Sequence, residues 1–107
     1  MSGYRYMRLV VFFDLPRCTE KQRKAANKFR KELVENGFLM LQESVYCRLA
    51  LNNIVLDSIK EYVRTRKPKE GNIMMLCLTE KQFENMEIVL GDNAQQTINT
   101  TDRMVIL

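Results

Sequence analysis

Leu9-Val10-Val11-Phe12-Phe13-Asp14-Leu15-Pro16 decides how the rest of this chain is read. The unbroken apolar run leaves no polar face, so residues 5–13 are expected to form a strand covered on both sides. The run ends in one carboxylate, which such a strand would set at the rim of its sheet. Directly behind it, residues 19–36 are loaded with lysine and arginine and read as a helix. Thr19 and Gln22 make a capping-box pair, and Gly37 stops the helix. Ala25 or Ala26, Phe29 and Leu33 recur at helical spacing as its apolar stripe. A rim acid beside a basic helix suits phosphate chemistry or phosphate grip.

The pattern continues in the same style. Residues 38–42 and 44–49 read as two short strands joined tightly enough to pair antiparallel. Asn52 or Asn53 caps a second helix over 53–66, with Leu56, Ile59 and Val63 as its stripe and Pro68 as its end. Residues 72–79 form another almost wholly apolar strand. A second T-x-x-Q box at Thr79 and Gln82 opens a short helical turn, and Ile88-Val89-Leu90 is expected as a fifth strand. The order β-α-β-β-α-β with extra C-terminal strands is the ferredoxin-like α+β pattern, two helices on one face of an antiparallel sheet. Those helices leave the second face of two apolar strands uncovered. A homodimer packed sheet on sheet would cover it. The domain is placed at 1–91, and 92–107 is read as a polar connector and a terminal strand that pairs with the partner subunit.

With 107 residues, one domain is expected. A chain of this size buries about 65% of its unfolded surface, so its core is modest. Charge is divided unevenly. Residues 1–69 hold 15 of the 17 basic residues and 7 of the 13 acids, a balance of +8, while 70–107 balance at −4. The first part suits a polyanion and the second some other surface. Cys18, Cys47 and Cys77 are odd in number and far apart, as expected of reduced thiols in a cytoplasm. The first apolar run is too short for a signal-peptide core, and no stretch approaches a membrane span. The chain has no histidine, which removes His-based triads, dyads and metal sites.

Lys21, Lys24, Lys28 and Lys31 are spaced three, four and three apart, so they share one helical face. Like charges at that spacing repel unless an anion neutralises them. With Arg17 beside them, they are candidate contacts to a nucleic-acid backbone, and ammonium groups grip phosphate without reading bases. Lys67 and Lys69 belong to a second basic cluster around Pro68. A charged last turn also suits the helix dipole, so that cluster has a plain structural reading as well. Asp14 is the candidate metal ligand and catalytic residue. In a two-fold dimer it could meet its twin, with Mg²⁺ between them. Ser44, Tyr46 and Arg48 are the polar residues that could line such a site. The first strand also looks like that of an RNA-recognition motif, but 44–49 has no glycine and one aromatic, so the second aromatic signature is missing.

Gly37-Phe38 through Gln42-Glu43-Ser44-Val45-Tyr46, joined to a first strand ending in Asp14-Leu15-Pro16, closely resembles the CRISPR-associated Cas-two protein family. Tyr4-Arg5-Tyr6-Met7-Arg8 and Asn72-Ile73 through Thr79-Glu80-Lys81-Gln82-Phe83 resemble its type II branch. The ordered set covers nearly the whole chain. The resemblance implies a ferredoxin-like homodimer in which Met104, Val105, Ile106 and Leu107 cross to the partner's sheet. It implies a role in spacer acquisition, bridging dimers of the Cas-one integrase and holding duplex DNA. It also implies a second reading, a Mg²⁺-dependent endonuclease on RNA or double-stranded DNA with Asp14 as metal ligand. The lone acid and the lysine face favour the adaptor over the enzyme. A small-ligand regulatory domain of the same fold would leave the lysine face unexplained.

Overall fold

A computed structural model describes residues 6–91. The elements are β1 (Met7–Asp14), α1 (Glu20–Glu35), β2 (Leu39–Gln42), β3 (Val45–Ala50), α2 (Asn53–Arg66), β4 (Asn72–Thr79) and a short α3 (Glu80–Glu84). Both capping boxes form as expected, at Thr19–Gln22 and Thr79–Gln82. The four strands make one sheet in the order β2-β3-β1-β4, antiparallel at every joint. This is the expected ferredoxin-like arrangement. The terminal connector at 92–107 and the tail Met104, Val105, Ile106 and Leu107 lie outside the described residues.

Alternation along β1 sorts its side chains onto two faces. Leu9, Val11 and Phe13 face the helices. There they pack with Ala26, Phe29 and Leu33 of α1, with Leu56, Ile59 and Val63 of α2, and with Ile73, Met75 and Cys77 of β4. The helices are tied to the sheet and to each other by polar contacts. Arg48 Nη1 donates to the Asn36 carbonyl at 2.6 Å and to Asn36 Oδ1 at 3.0 Å, satisfying the end of α1. The Tyr62 hydroxyl donates to the Glu32 carbonyl at 3.2 Å, linking α2 to α1.

The second face carries Arg8, Val10, Phe12 and Asp14 of β1. Here the structure adds what the sequence pattern did not suggest, because α3 folds over one end of this face. Phe83 is buried against Val10 and Cys47. Arg8 is 2% exposed, and its Nε donates to Glu80 Oε1 at 3.2 Å while Nη2 donates to Oε2. Its guanidinium lies 4.5 Å from the Phe83 ring centroid. Burial alone would lower the Arg8 pKa, but the bond and charge of Glu80 carry it above its ordinary value. Burial likewise pushes the Cys47 thiol up, against a downward pull from Arg8. A buried charge is tolerable only when paired and hydrogen-bonded, and α3 meets that condition.

Beyond α3 the face stays open. Phe12 aligns with Val45 and Met74, and Val10 aligns with Leu76. Met74 is 66% exposed, Leu39 49% and Leu76 48%. The expected fifth strand does not form, since Ile88, Val89 and Leu90 have no strand geometry and are exposed. Apolar, β-branched residues have no strand of their own without an edge to pair with, and this segment pairs with none in its own sheet.

Replacing Glu80 with alanine leaves Arg8 buried and unpaired. The expected cost is about 2–3 kcal/mol, below the full range for a buried pair because Glu80 is partly exposed. Thermal denaturation should show a Tm drop on the order of 10 °C. The double variant Arg8→Met with Glu80→Leu should recover most of that drop, and equal loss in both would mean the pair is not the source.

Candidate nucleic-acid interface

Lysines from two distant parts of the sequence meet in one groove. It holds about 910 Å³ between α1 with the turn before it, the end of α2 and the α2–β4 loop. Lys21 and Lys28 reach it from α1, and Arg66, Lys67 and Lys69 from the other wall. Its lining also includes the apolar Leu15, Ala25 and Pro68. Of the residues singled out from sequence, Lys21, Lys28, Lys67 and Lys69 therefore converge. Lys24 and Lys31 are exposed on α1 without lining the groove, and Arg17 is exposed in the turn before α1, also outside the lining.

The charges differ in how free they are. Arg66 lies over the Tyr62 ring at 4.3 Å and sits 3.9 Å from Glu32 Oε1, so it is engaged within the fold. Arg17 Nη2 donates to Asn27 Oδ1 at 3.1 Å, an atom that also accepts from Arg30 at 3.3 Å. Arg23 donates to the carbonyls of Arg17 and Cys18, both at 3.2 Å. These arginines fasten the turn before α1 as well as adding charge. Lys24 pairs with Glu20 at 3.8 Å, but both are so exposed that the pair is weak. Among the described residues, Lys21, Lys28, Lys67 and Lys69 form no ion pair. Such unpaired cations facing one groove are suited to a row of phosphates.

Asp14 is elsewhere. Its position opposite Asn72 at the end of β1 assigns it to the second face of the sheet, whereas α1 packs on the first. The acid and the basic helix, neighbours in sequence, are thus divided by the alternation of the strand. Asp14 is exposed, and among the described residues no three His, Cys, Asp or Glu side chains group as a metal site would need. Mg²⁺ can be held by one or two carboxylates with water and substrate phosphates. A second copy meeting the open face would bring another Asp14 to it.

The other residues expected near that acid have structural work. Tyr46 is buried and stacks on Phe13 at 5.6 Å between ring centroids. Burial raises its hydroxyl pKa, against a downward pull from Arg30. Arg48 closes the end of α1, as described above. Ser44 sits in the β2–β3 turn at φ 66°, and its carbonyl accepts from Phe13 N at 3.0 Å. Cys18 is exposed, Cys47 buried and Cys77 half-buried, and none is in a disulfide.

Two contacts that sequence reading missed hold the groove's walls together. Gly71 has φ +111°, and a Cβ there would lie 2.6 Å from Leu15 Cδ2 and 2.9 Å from the Asp14 carbonyl. The α2–β4 loop can approach the β1–α1 turn only because this residue has no side chain. Beside it, Gln22 Nε2 donates to Glu70 Oε1 at 3.0 Å. Gln22 was legible as a capping residue, but nothing local marks Glu70 as its partner.

The model of the family described as CRISPR associated protein Cas2 matches residues 7–86. A protein of Treponema denticola named CRISPR-associated endoribonuclease Cas2 is 45% identical over 101 residues, covering 94% of this chain and 100% of that protein. Proteins of the same name from Streptococcus mutans and Ligilactobacillus salivarius are 42% and 39% identical. They cover 94% of this chain each, and 93% and 100% of their own lengths.

Gly71→Ala should cost about 1–3 kcal/mol through positive-φ strain, with the clash against Leu15 and Asp14 added to it. Gly37 also has positive φ, but the nearest atom to a Cβ there is 3.5 Å away, in the Arg48 side chain. Gly37→Ala should therefore be the milder change in urea denaturation. Equal losses would mean that the loop–turn contact contributes nothing.

Proposed function

This chain belongs to the CRISPR-associated Cas2 family, and we propose that it serves as a dimeric adaptor that grips duplex DNA through its phosphates. In this reading it bridges dimers of the Cas-one integrase while new spacers are joined to the repeat array. The observation that carries the reading is the convergence of Lys21, Lys28, Lys67 and Lys69 on one groove without ion-pair partners among the described residues. Ammonium groups in that setting hold a polyanion without selecting a sequence, as an adaptor for varied DNA fragments requires. The open apolar face around Met74, Leu76 and Leu39 supports the dimer, since a patch of this kind is normally covered by a partner. RNA would satisfy the same cations, and duplex DNA is the ligand favoured here.

A second reading is supported by the relatives, whose printed name is endoribonuclease. Asp14 would hold Mg²⁺, which when bound activates water for attack on a phosphodiester. The position of Asp14 on the face opposite the groove, and the lack of a cluster of three or more metal-ligating side chains among the described residues, weigh toward the adaptor.

Two measurements separate these readings. Reversing Lys21, Lys28, Lys67 and Lys69 to glutamate should weaken duplex binding by at least ~100-fold. For the unaltered dimer, log affinity against log salt should have a slope of about −7, for eight lysines. Unchanged affinity in the reversed variant would remove the groove from the account. Separately, Asp14→Ala should leave duplex binding within about twofold, because the carboxylate lies away from the phosphate track. A cleavage assay with Mg²⁺ then tests the enzyme, and metal-dependent cleavage that disappears with Asp14→Ala would favour the second reading.

A further inference from the structure

The groove contains an acid that simple electrostatics does not explain. Glu70 lines it between Lys69 and Gly71, where a negative charge should repel the phosphates that the lysines attract. Its contacts suggest a different role. Gln22 is the third residue of α1, and its Oε1 accepts from the Cys18 and Thr19 amides at 2.9 and 3.0 Å. That leaves its Nε2 free to donate, and it donates to Glu70 Oε1 at 3.0 Å. The side chain that caps α1 thereby also holds the α2–β4 loop. Gly71 supplies the second tie, seated against Leu15 and the Asp14 carbonyl. Lys67 and Lys69 ride on the short segment that these two contacts restrain, while Lys21 and Lys28 are fixed to α1.

Building on the proposed phosphate grip, we propose that Glu70 is a positioning residue. Through Gln22 it holds Lys67 and Lys69 at a set spacing from Lys21 and Lys28, so that both walls of the groove engage one polyanion. The hydrogen bond has a charged acceptor, which makes it stronger than a neutral pair. Without it the two loop lysines remain charged, but their position must be restricted anew each time a ligand binds.

This role reverses the sign expected from charge alone, and that reversal is the test. Duplex DNA binding is measured across a salt series for the full chain and two variants. Glu70→Gln keeps an acceptor for Gln22 and removes the negative charge, so it should bind as tightly as the unaltered protein or more tightly. Glu70→Ala removes the charge and the tie together. It should bind several-fold more weakly than Glu70→Gln, with a salt slope shallower by about 1 for each lysine that disengages. Matching melting temperatures for the two variants would show that the difference lies in the groove and not in folding. If the alanine variant instead binds as tightly as the glutamine variant, with the same slope, Glu70 positions nothing and the inference is overturned. If the unaltered protein binds no duplex, or reversing the four lysines changes nothing, the phosphate grip itself fails, and the inference fails with it for that separate reason.

Discussion

β1 is apolar on both faces and lies in the middle of the sheet, so the fold must cover it twice. The first cover is conventional: α1 and α2 bury Leu9, Val11 and Phe13 under an apolar layer. The second is divided. Phe83 and the Arg8–Glu80 pair close one end, and the row containing Phe12 and Met74 is left open. Everything functional follows from this arrangement. The helix side exposes the basic groove, and the open side carries Asp14 and the surface suited to a second copy. In the proposed adaptor, the two sides take different ligands, DNA on one and a protein on the other.

The same alternation separates the two residue sets on which the adaptor and nuclease readings rest. In the linear sequence, Asp14 is followed within a few residues by a dense run of cations, and a phosphate-cleaving site is an easy reading. In the fold, one residue of strand register assigns the carboxylate to the opposite face from α1. Lys21 and Lys28 line the groove on the helix side, whereas the alternation of β1 assigns the Asp14 carboxylate to the other face. Under the second reading, cleavage at Asp14 would need its own binding surface, completed by another copy, whereas the four groove lysines already converge within each chain of the proposed dimer.

Much of this was legible in the residues themselves. Continuous apolar runs, two capping boxes and the stops at Gly37 and Pro68 locate the main strands and helices, because each signal is local. Convergence was less legible. Lys21 and Lys69 are far apart in the chain, and nothing in either segment says that they share a groove. The Glu70–Gln22 bond spans 48 residues and the Arg8–Glu80 pair 72, so neither leaves a local trace. Tyr46 and Arg48 looked available to line a site with Ser44 because each carries a polar group. Burial beside Phe13 and the needs of the α1 terminus claim them instead. Ile88-Val89-Leu90 misled in the opposite way: its residues suit a strand, but the segment pairs with neither edge strand of the sheet, β2 or β4.

The most direct test of the adaptor is spacer integration into a repeat-containing plasmid by the purified integrase partner. The reaction would be supplied with unaltered protein, the Asp14→Ala variant or the variant reversed at Lys21, Lys28, Lys67 and Lys69. The account predicts integration at undiminished yield with Asp14→Ala and none with the reversed groove. Integration lost with a dimeric Asp14→Ala protein, or retained with the groove reversed, would contradict it.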